Sequence, residues 1–176
     1  MKKGLLSWIV LLLAAGALVK LHLDCTPDLP ARIASHFDLA GRANGWRTKD
    51  TFGLGTLPIH LGTAGFIVGL ISFMHRLPPH LINVPNPEYW RQPANFQIAC
   101  EYLRSWSRWF AASELIWATF FDHQLFLANQ RQPPYLDSQA TNILLAVAIL
   151  GSPILIAALL IRFSRIPSDP KNPSGN

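Results

Sequence analysis

The amino-acid sequence predicts an all-α integral membrane protein with about four transmembrane helices and both ends in the cytoplasm. Three observations lead to this fold class. Half of the residues are hydrophobic and only 14% are charged, whereas soluble domains have roughly a quarter charged residues. Long uncharged segments recur along the chain, and the basic residues fall mostly between them. A chain of this composition lacks the polar surface that a soluble domain needs.

Three uncharged or nearly uncharged segments have about the 20 residues that cross a hydrocarbon core. A fourth, third in chain order, is apolar from Trp109 to Phe121 except for Glu114, and it is long enough only if Asp122 and His123 are tolerated. Arg108 and the tryptophans at its start are expected at headgroup depth, where arginine side chains snorkel. The predicted spans are residues 4–23, 54–74, 106–128 and 141–163 of one membrane domain, residues 1–166.

Three further segments complete the predicted organisation. An ordered outer loop, 24–53, joins the first two spans, and an inner loop, 75–105, joins the next two. Residues 167–176 consist mostly of Pro, Ser, Asn and Lys and are expected to form a disordered cytoplasmic tail, because they have no apolar surface to bury.

The orientation follows from the basic residues, which concentrate in cytoplasmic loops. With the N-terminus inside, the inner side has more of the 15 Lys and Arg residues than the outer side. The net charge of +5 is therefore explained by topology, and no basic stripe with interleaved aromatics indicates nucleic acid. The inner basic residues are Lys2, Lys3, Arg76, Arg91, Arg104, Arg108, Arg162, Arg165 and Lys171.

The first apolar segment also fits a secretory signal peptide. Lys2 and Lys3 precede an apolar core that contains the small residues Ala15, Gly16 and Ala17. A retained helix is the favoured interpretation, because other strong spans follow. Cleavage would leave the rest of the topology unchanged.

Glu114 is the most informative single residue inside the spans. A carboxylate in the hydrocarbon core is costly and must find a partner or a proton. One interpretation is a proton or ion relay, and the other is a structural hydrogen bond to a neighbouring helix. The structural bond is favoured because no second acidic residue is expected at the same depth. In the second span, Gly65 and Gly69 form a small-xxx-small pair, for which packing inside the bundle is favoured over dimerisation.

The histidines offer only weak candidates for a metal site. His36, His60 and His123 come from separate segments near the outer face, and the chain contains no HExxH pattern. The sequence therefore predicts no metal, no cofactor and no catalytic residue, although a membrane metal-dependent enzyme stays an alternative.

The two loops carry the most organised patterns. The outer loop has prolines that stiffen its start, glycines suited to tight turns and apolar anchors between them. The inner loop is rich in proline, asparagine and aromatic residues. The outer pattern comprises Leu29, Pro30, Ile33, His36, Phe37, Gly41, Gly45, Trp46 and Lys49, and the inner one Asn83, Pro85, Asn86, Tyr89 and Trp90.

The outer pattern resembles a bacterial membrane module, the domain of unknown function sixteen-forty-eight, which forms the N-terminal half of the SdpI family. That family usually has proline where Ala34 stands here. The inner pattern and Ala128-Asn129 also resemble the family, so that the likeness covers most of residues 24–130. Its founding member is an immunity protein against a secreted peptide toxin and also sequesters a repressor at the membrane. Family members have further C-terminal spans.

The resemblance implies a multi-pass protein of the bacterial inner membrane that protects against a membrane-active peptide. The expected partners are the lipid bilayer and either a peptide toxin or a regulatory protein recruited to the membrane. A loop that only seals the outer end of the bundle explains the outer pattern equally well. A small ion-coupled transporter that uses Glu114, and Asp122 with His123, is the other alternative.

Overall fold

The computed structural model describes residues 2–166, most of which are helical. Five helices, two short strands and two 3-10 turns follow one another along the chain. Residues 167–176, the predicted disordered tail, lie outside the described residues. In chain order the helices and strands are α1 (Lys2–Cys25), β1 (Arg32–Phe37), β2 (Ala43–Thr48), α2 (Lys49–Phe73), α3 (Pro87–Trp90), α4 (Pro93–Asn129) and α5 (Ser138–Ser164), with the 3-10 turns Met74–Arg76 and Pro79–Leu81 between α2 and α3.

Three helices are long and apolar enough to cross a membrane. They comprise Gly4–Cys25, Lys49–Arg76 and Ser138–Ser164, and they coincide with the predicted first, second and fourth spans. The prediction of a helical membrane protein is confirmed to this extent. The third predicted span belongs to α4, whose polar residues lower its mean hydropathy, and its place in the membrane stays a prediction.

Helix α4 is the centre of the bundle and packs against α1, α2 and α5. Two buried contacts show its direction relative to α1. Arg108 of α4 bonds Ser7 near the start of α1, and Asp122 bonds His22 near the end of α1. The two helices therefore run parallel and side by side over nearly the whole length of α1. Between these contacts, small residues of α4 allow close approach to α1 and α2, with a shared core of Leu11, Ala14, Leu18, Ala64, Val68, Ala111, Ala112, Leu115 and Ala118.

The outer loop contains an antiparallel β-hairpin, which the all-α prediction omitted. Strands β1 and β2 pair from Arg32 with Thr48 to Phe37 with Ala43. Asp38 closes the turn, since its Oδ1 accepts hydrogen bonds from the backbone N–H groups of Ala40 and Arg42. Each strand has only six residues, and irregular register removes the clean alternation of polar and apolar residues that identifies a strand in sequence.

Helices α2 and α4 begin furthest ahead of their predicted starts. The Thr48 hydroxyl caps α2 by accepting a hydrogen bond from the N–H of Thr51, so that residues 49–53 are helical rather than part of the outer loop. Helix α4 begins at Pro93, a residue suited to the first helical turn, so that residues 93–105 of the predicted inner loop are helical.

The glycines of α2 do not pack inside the bundle, and that expectation was wrong. Gly65 and Gly69 are exposed, and a Cβ built on either would meet no atom within 4 Å. The neighbouring positions Ala64 and Val68 face the core instead. The two sets lie on different faces of the same helix, and the spacing of the glycines alone could not show which face is inward.

Candidate functional site

Four titratable side chains meet between α1, α2 and α4, towards the end of the bundle that carries the hairpin. The His22 Nε2 atom lies 2.8 Å from Asp122 Oδ2. The His60 Nδ1 atom lies 3.0 Å from Glu114 Oε1, and the Nε2 atom of the same ring lies 3.8 Å from Asp122 Oδ2. The contacts join the residues in the order Glu114, His60, Asp122, His22, a set that we call the polar chain.

The polar chain is deeply buried at one end and partly accessible at the other. The side chains of His22 and Asp122 are 4% and 1% exposed, whereas those of His60 and Glu114 are 18% and 23% exposed. Within residues 2–166, no Lys or Arg forms an ion pair with either carboxylate of the chain. Within the polar chain, only His22 and His60 can therefore supply positive charge to balance the two carboxylates.

Helical spacing explains how one helix supplies both carboxylates. Glu114 and Asp122 are eight positions apart on α4, which places them on the same face two turns apart, about 12 Å along the axis. His60 of α2 lies between them. Glu114 and Asp122 therefore lie at different depths, and His60, a residue that the sequence-based argument did not connect with them, contacts both.

Aromatic rings cover the buried end of the polar chain. The His22 ring stacks with Phe52 at 6.4 Å and meets Phe126 edge-on at 5.2 Å between centroids. These two rings belong to an apolar cluster that includes Leu29 and Ile33 of the outer loop. The loop therefore caps the bundle directly above His22.

Of the site residues predicted from the sequence, some belong to the polar chain and others lie at the surface. Among the predicted metal candidates only His60 joins the polar chain, because His36 and His123 are exposed. In the part of the chain that the structure describes, no group of three or more His, Cys, Asp or Glu side chains is arranged to hold a metal ion. Nothing in the sequence around His22, one helical turn before Cys25, indicates its buried carboxylate partner Asp122.

The outer pattern is used mainly to build the hairpin and attach it to the helices. Gly41 adopts φ +80, a conformation that favours glycine. A Cβ on Gly45 would lie 2.8 Å from His36 Cβ, so that the close approach of the two strands requires glycine there. Lys49 donates to the carbonyl oxygen of Pro27 at 2.9 Å. Exposed Trp46 carries the Arg32 guanidinium 5.5 Å from its ring centre.

One family model matches the part of the molecule that contains the hairpin. Residues 5–62 match the family model of a domain of unknown function, DUF1648. These residues are similar to that domain, and we call them the DUF1648 module. The searches of curated proteins and of solved structures return no match. The module comprises α1, the hairpin and much of α2, and it therefore supplies His22 and His60 of the polar chain, whereas α4 supplies both carboxylates.

Asn129 attaches α4 to the DUF1648 module. Its Oδ1 accepts the backbone N–H of Ala34 at 2.7 Å, and its Nδ2 donates to the carbonyl oxygens of Ala34 and Leu125 at 2.9 Å each. The side chain amide thus takes the place of a neighbouring strand along β1. Proline at position 34 would have no N–H to donate to Asn129, so this bond requires a residue other than proline there.

A cavity of about 280 Å³ lies where the tip of the hairpin meets α4 and α5. Apolar side chains line it, among them Phe37, Phe121, Leu125 and Leu145. The polar residues of the lining are Ser35, His36, Asp38, Ser138, Thr141 and Asn142. A second attachment of the hairpin borders this cavity, since the N–H of Leu136 donates to the carbonyl oxygen of Gly41.

The inner pattern holds the end of α5 and lies outside the DUF1648 match. The Trp90 indole N–H donates to the carbonyl oxygen of Phe163 at 2.8 Å, and the Asn86 amide donates to that of Ser164 at 2.9 Å. Tyr89 meets the Trp90 ring edge-on at 4.9 Å. Pro85 is half-buried and Asn83 is exposed. These residues cap a helix and have no evident chemical role.

Proposed function

We propose that this protein is a multi-pass protein of the bacterial inner membrane that protects the cell from a membrane-active peptide by binding it at the outer end of the bundle. The cavity between the hairpin, α4 and α5 carries the proposal. Its lining joins the aromatic and aliphatic side chains of Phe121, Leu125 and Leu145 to the polar Ser35, His36 and Asn142. An amphipathic peptide at a membrane surface presents both kinds of group.

The proposed topology has four spans with both ends in the cytoplasm. The parallel packing of α4 against α1, from Ser7 with Arg108 to His22 with Asp122, supports α4 as the third span. A helix beside α1 over this length crosses the same thickness of bilayer as α1. Arg108 lies at the end opposite the hairpin, with its guanidinium 5.1 Å from the ring centre of Trp8, as in an interfacial arginine–aromatic pair.

Cysteine labelling tests the topology. In a background with Cys25→Ser and Cys100→Ala, a cysteine replaces Leu39 at the fully exposed tip of the hairpin, or His80 between α2 and α3. A membrane-impermeant maleimide should label the Leu39→Cys protein in intact cells and the His80→Cys protein only after lysis. The reverse pattern would invert the topology, and labelling of both in intact cells would remove α2 as a span.

Growth inhibition tests the function. Bacteria that produce the protein should tolerate a higher concentration of at least one peptide in a panel of amphipathic membrane-active peptides. Asn142→Trp, which places an indole in the cavity, should abolish the protection. Ile143→Trp adds the same group at an exposed neighbouring position that does not line the cavity, and it should protect like the parent. Unchanged sensitivity to every peptide would contradict the protective role.

A small ion-coupled carrier is the second candidate, and the polar chain is the observation that favours it. Intramembrane carboxylates paired with histidines are typical of proton relays. A metal-dependent enzyme has no comparable support, because His36, His60 and His123 do not converge.

A further inference from the structure

We infer that His22, His60, Glu114 and Asp122 form one proton-binding site that holds two protons and exchanges them through Glu114. The inference concerns the polar chain itself and does not depend on whether the outer cavity binds a peptide. It rests on the charge of the chain, the order of its contacts and its access to a second cavity.

The charge of the polar chain sets the number of protons. Two ionised carboxylates carry one negative charge each, and neutral imidazoles carry none, so the unprotonated chain has two negative charges. Such charges are costly in hydrocarbon and must be compensated. Two basic side chains on the surrounding helices are engaged elsewhere. Lys20 of α1 pairs with Asp24 at the surface, and Arg108 of α4 bonds Ser7 towards the other end of α1.

Among the described residues, neither helix α5 nor the hairpin forms an ion pair with the polar chain. Helix α5 has no charged residue between Ser138 and Ile161. The hairpin faces His22 through the apolar cluster around Ile33 and Phe126. His123, the remaining titratable residue on this part of α4, is exposed. Two protons on the four side chains are therefore the means of making the site neutral.

The order of contacts lets the two protons be shared. The two nitrogens of the His60 ring face different carboxylates, Glu114 at 3.0 Å and Asp122 at 3.8 Å. An imidazolium has an N–H on each side, so that protonated His60 donates towards both. Asp122 in turn contacts His22 at 2.8 Å. Transfers between Glu114 and His60 and between Asp122 and His22 are across hydrogen-bond distances. The 3.8 Å between His60 and Asp122 is longer than a hydrogen bond, so these two side chains must approach each other before a proton can cross. Every such transfer leaves the total number of protons unchanged.

Access is at the Glu114 end. Glu114 lines a cavity of about 210 Å³ between α4 and α5, together with Ser113, Ser152 and the apolar residues Phe110 and Trp117 among others. This volume holds several water molecules, and the two hydroxyl groups can bond them. The His22 end is closed by Phe52 and Phe126. Protons therefore enter and leave on one side, as at a binding site rather than along an open path.

Counting protons spectroscopically tests the inference. In lipid nanodiscs at about pH 8, above the pKa of ~6.5 of free imidazole, nitrogen NMR of labelled histidines counts imidazolium rings. Infrared difference spectroscopy between the parent and each carboxylate variant counts protonated carboxyl groups. The two counts for the site should sum to two in the parent. Glu114→Gln and Asp122→Asn should each remove one proton, and the double variant should remove both.

Three controls make the result decisive. Asp24→Asn removes a carboxylate from an exposed pair and should leave the count at two. Glu114→Asp keeps the charge and should also leave it at two. If Asp122→Asn does not fold, the two Glu114 variants alone decide. A parent count of zero or one, or a count that Glu114→Gln does not lower, would overturn the inference.

A separate measurement tests whether the protons of the site exchange with solvent through Glu114. After transfer to heavy water, the deuterium shift of the protonated groups reports exchange with solvent. Ser152→Trp places an indole in the cavity beside Glu114 and should slow this exchange. Leu150→Trp places the same group on the exposed face of α5 and should not. Equal rates in the two variants would refute entry through Glu114.

Discussion

In helices α4 and α5 the usual relation between polarity and burial in a soluble protein is reversed. Helix α5 is uncharged from Ser138 to Ile161, yet only Thr141 and Phe163 of its residues are buried. Helix α4 contains Arg108, Glu114 and Asp122, and it contributes most of the buried residues of the bundle. In a bilayer, lipid is as apolar as leucine, so an apolar surface gains little by turning inward.

This difference teaches that a wholly apolar helix of a membrane protein faces mainly lipid, whereas a helix with polar side chains faces mainly other helices. Polar side chains must find partners on other helices, and those partners specify how the helices pack. Substitutions on α4 and α5 therefore test whether the comparison holds.

The largest effect is expected for Asp122→Leu. This change makes α4 more apolar, which would favour insertion of α4 by itself, but it leaves His22 buried without its partner. We expect the free energy of unfolding, measured by denaturation from detergent micelles, to fall by about 3 kcal/mol, since breaking one side of a buried ion pair costs that much. The control Asp24→Leu, at an exposed pair, should change it little. A stable Asp122→Leu protein would show that polarity does not organise the bundle.

A smaller effect is expected for Trp117→Phe. The ring stacks on Phe121 at 5.0 Å, and its N–H donates to the carbonyl oxygen of Leu144 in α5 at 2.8 Å. Phenylalanine keeps the stacking and removes the hydrogen bond, so we expect a loss of about 1 kcal/mol in the same unfolding measurement. Trp109 makes no indole hydrogen bond among residues 2–166, and Trp109→Phe is the matched control. Equal losses in the two variants would indicate that α5 is not attached through this bond.

The smallest effect is expected for Ile149→Ala on α5. Ile149 is 68% exposed, and lipid should fill the space that its side chain leaves. The expected change is below ~0.5 kcal/mol, as for surface substitutions generally. Leu115→Ala in the core, where Leu115 is 1% exposed, should cost about 2–5 kcal/mol. A comparable cost at Ile149 would mean that α5 packs against protein rather than lipid.

The same comparison explains which parts of the fold the sequence could predict. Uncharged segments are visible in sequence, and the two ends of α1, α2 and α5 were each predicted to within about five residues. The outer motif was recognised from Leu29 to Lys49, and the match over residues 5–62 confirms its module. The hairpin itself was missed because its short strands are held in place by distant groups, Asn129 among them.

The polar chain could be predicted only in part. Glu114 and Asp122 were both noticed, and their spacing of eight places them on one face of a helix. Nothing local in the sequence, however, shows that α1 and α2 present His22 and His60 to that face. That information depends on the rotation of each helix about its axis, which for α2 was also misjudged at Gly65 and Gly69. Polar partners fix this rotation, and each partner lies far away in the sequence.

The cap on α5 has a consequence for how the protein is assembled. Asn86 and Trp90, which bond the last carbonyl oxygens of α5, precede that helix in the chain by the whole length of α4. During synthesis, which proceeds from the N-terminus, the ribosome makes these donors before their acceptors at Phe163 and Ser164. We therefore expect α5 to dock after these donors have been made, onto a place that already exists when the helix emerges.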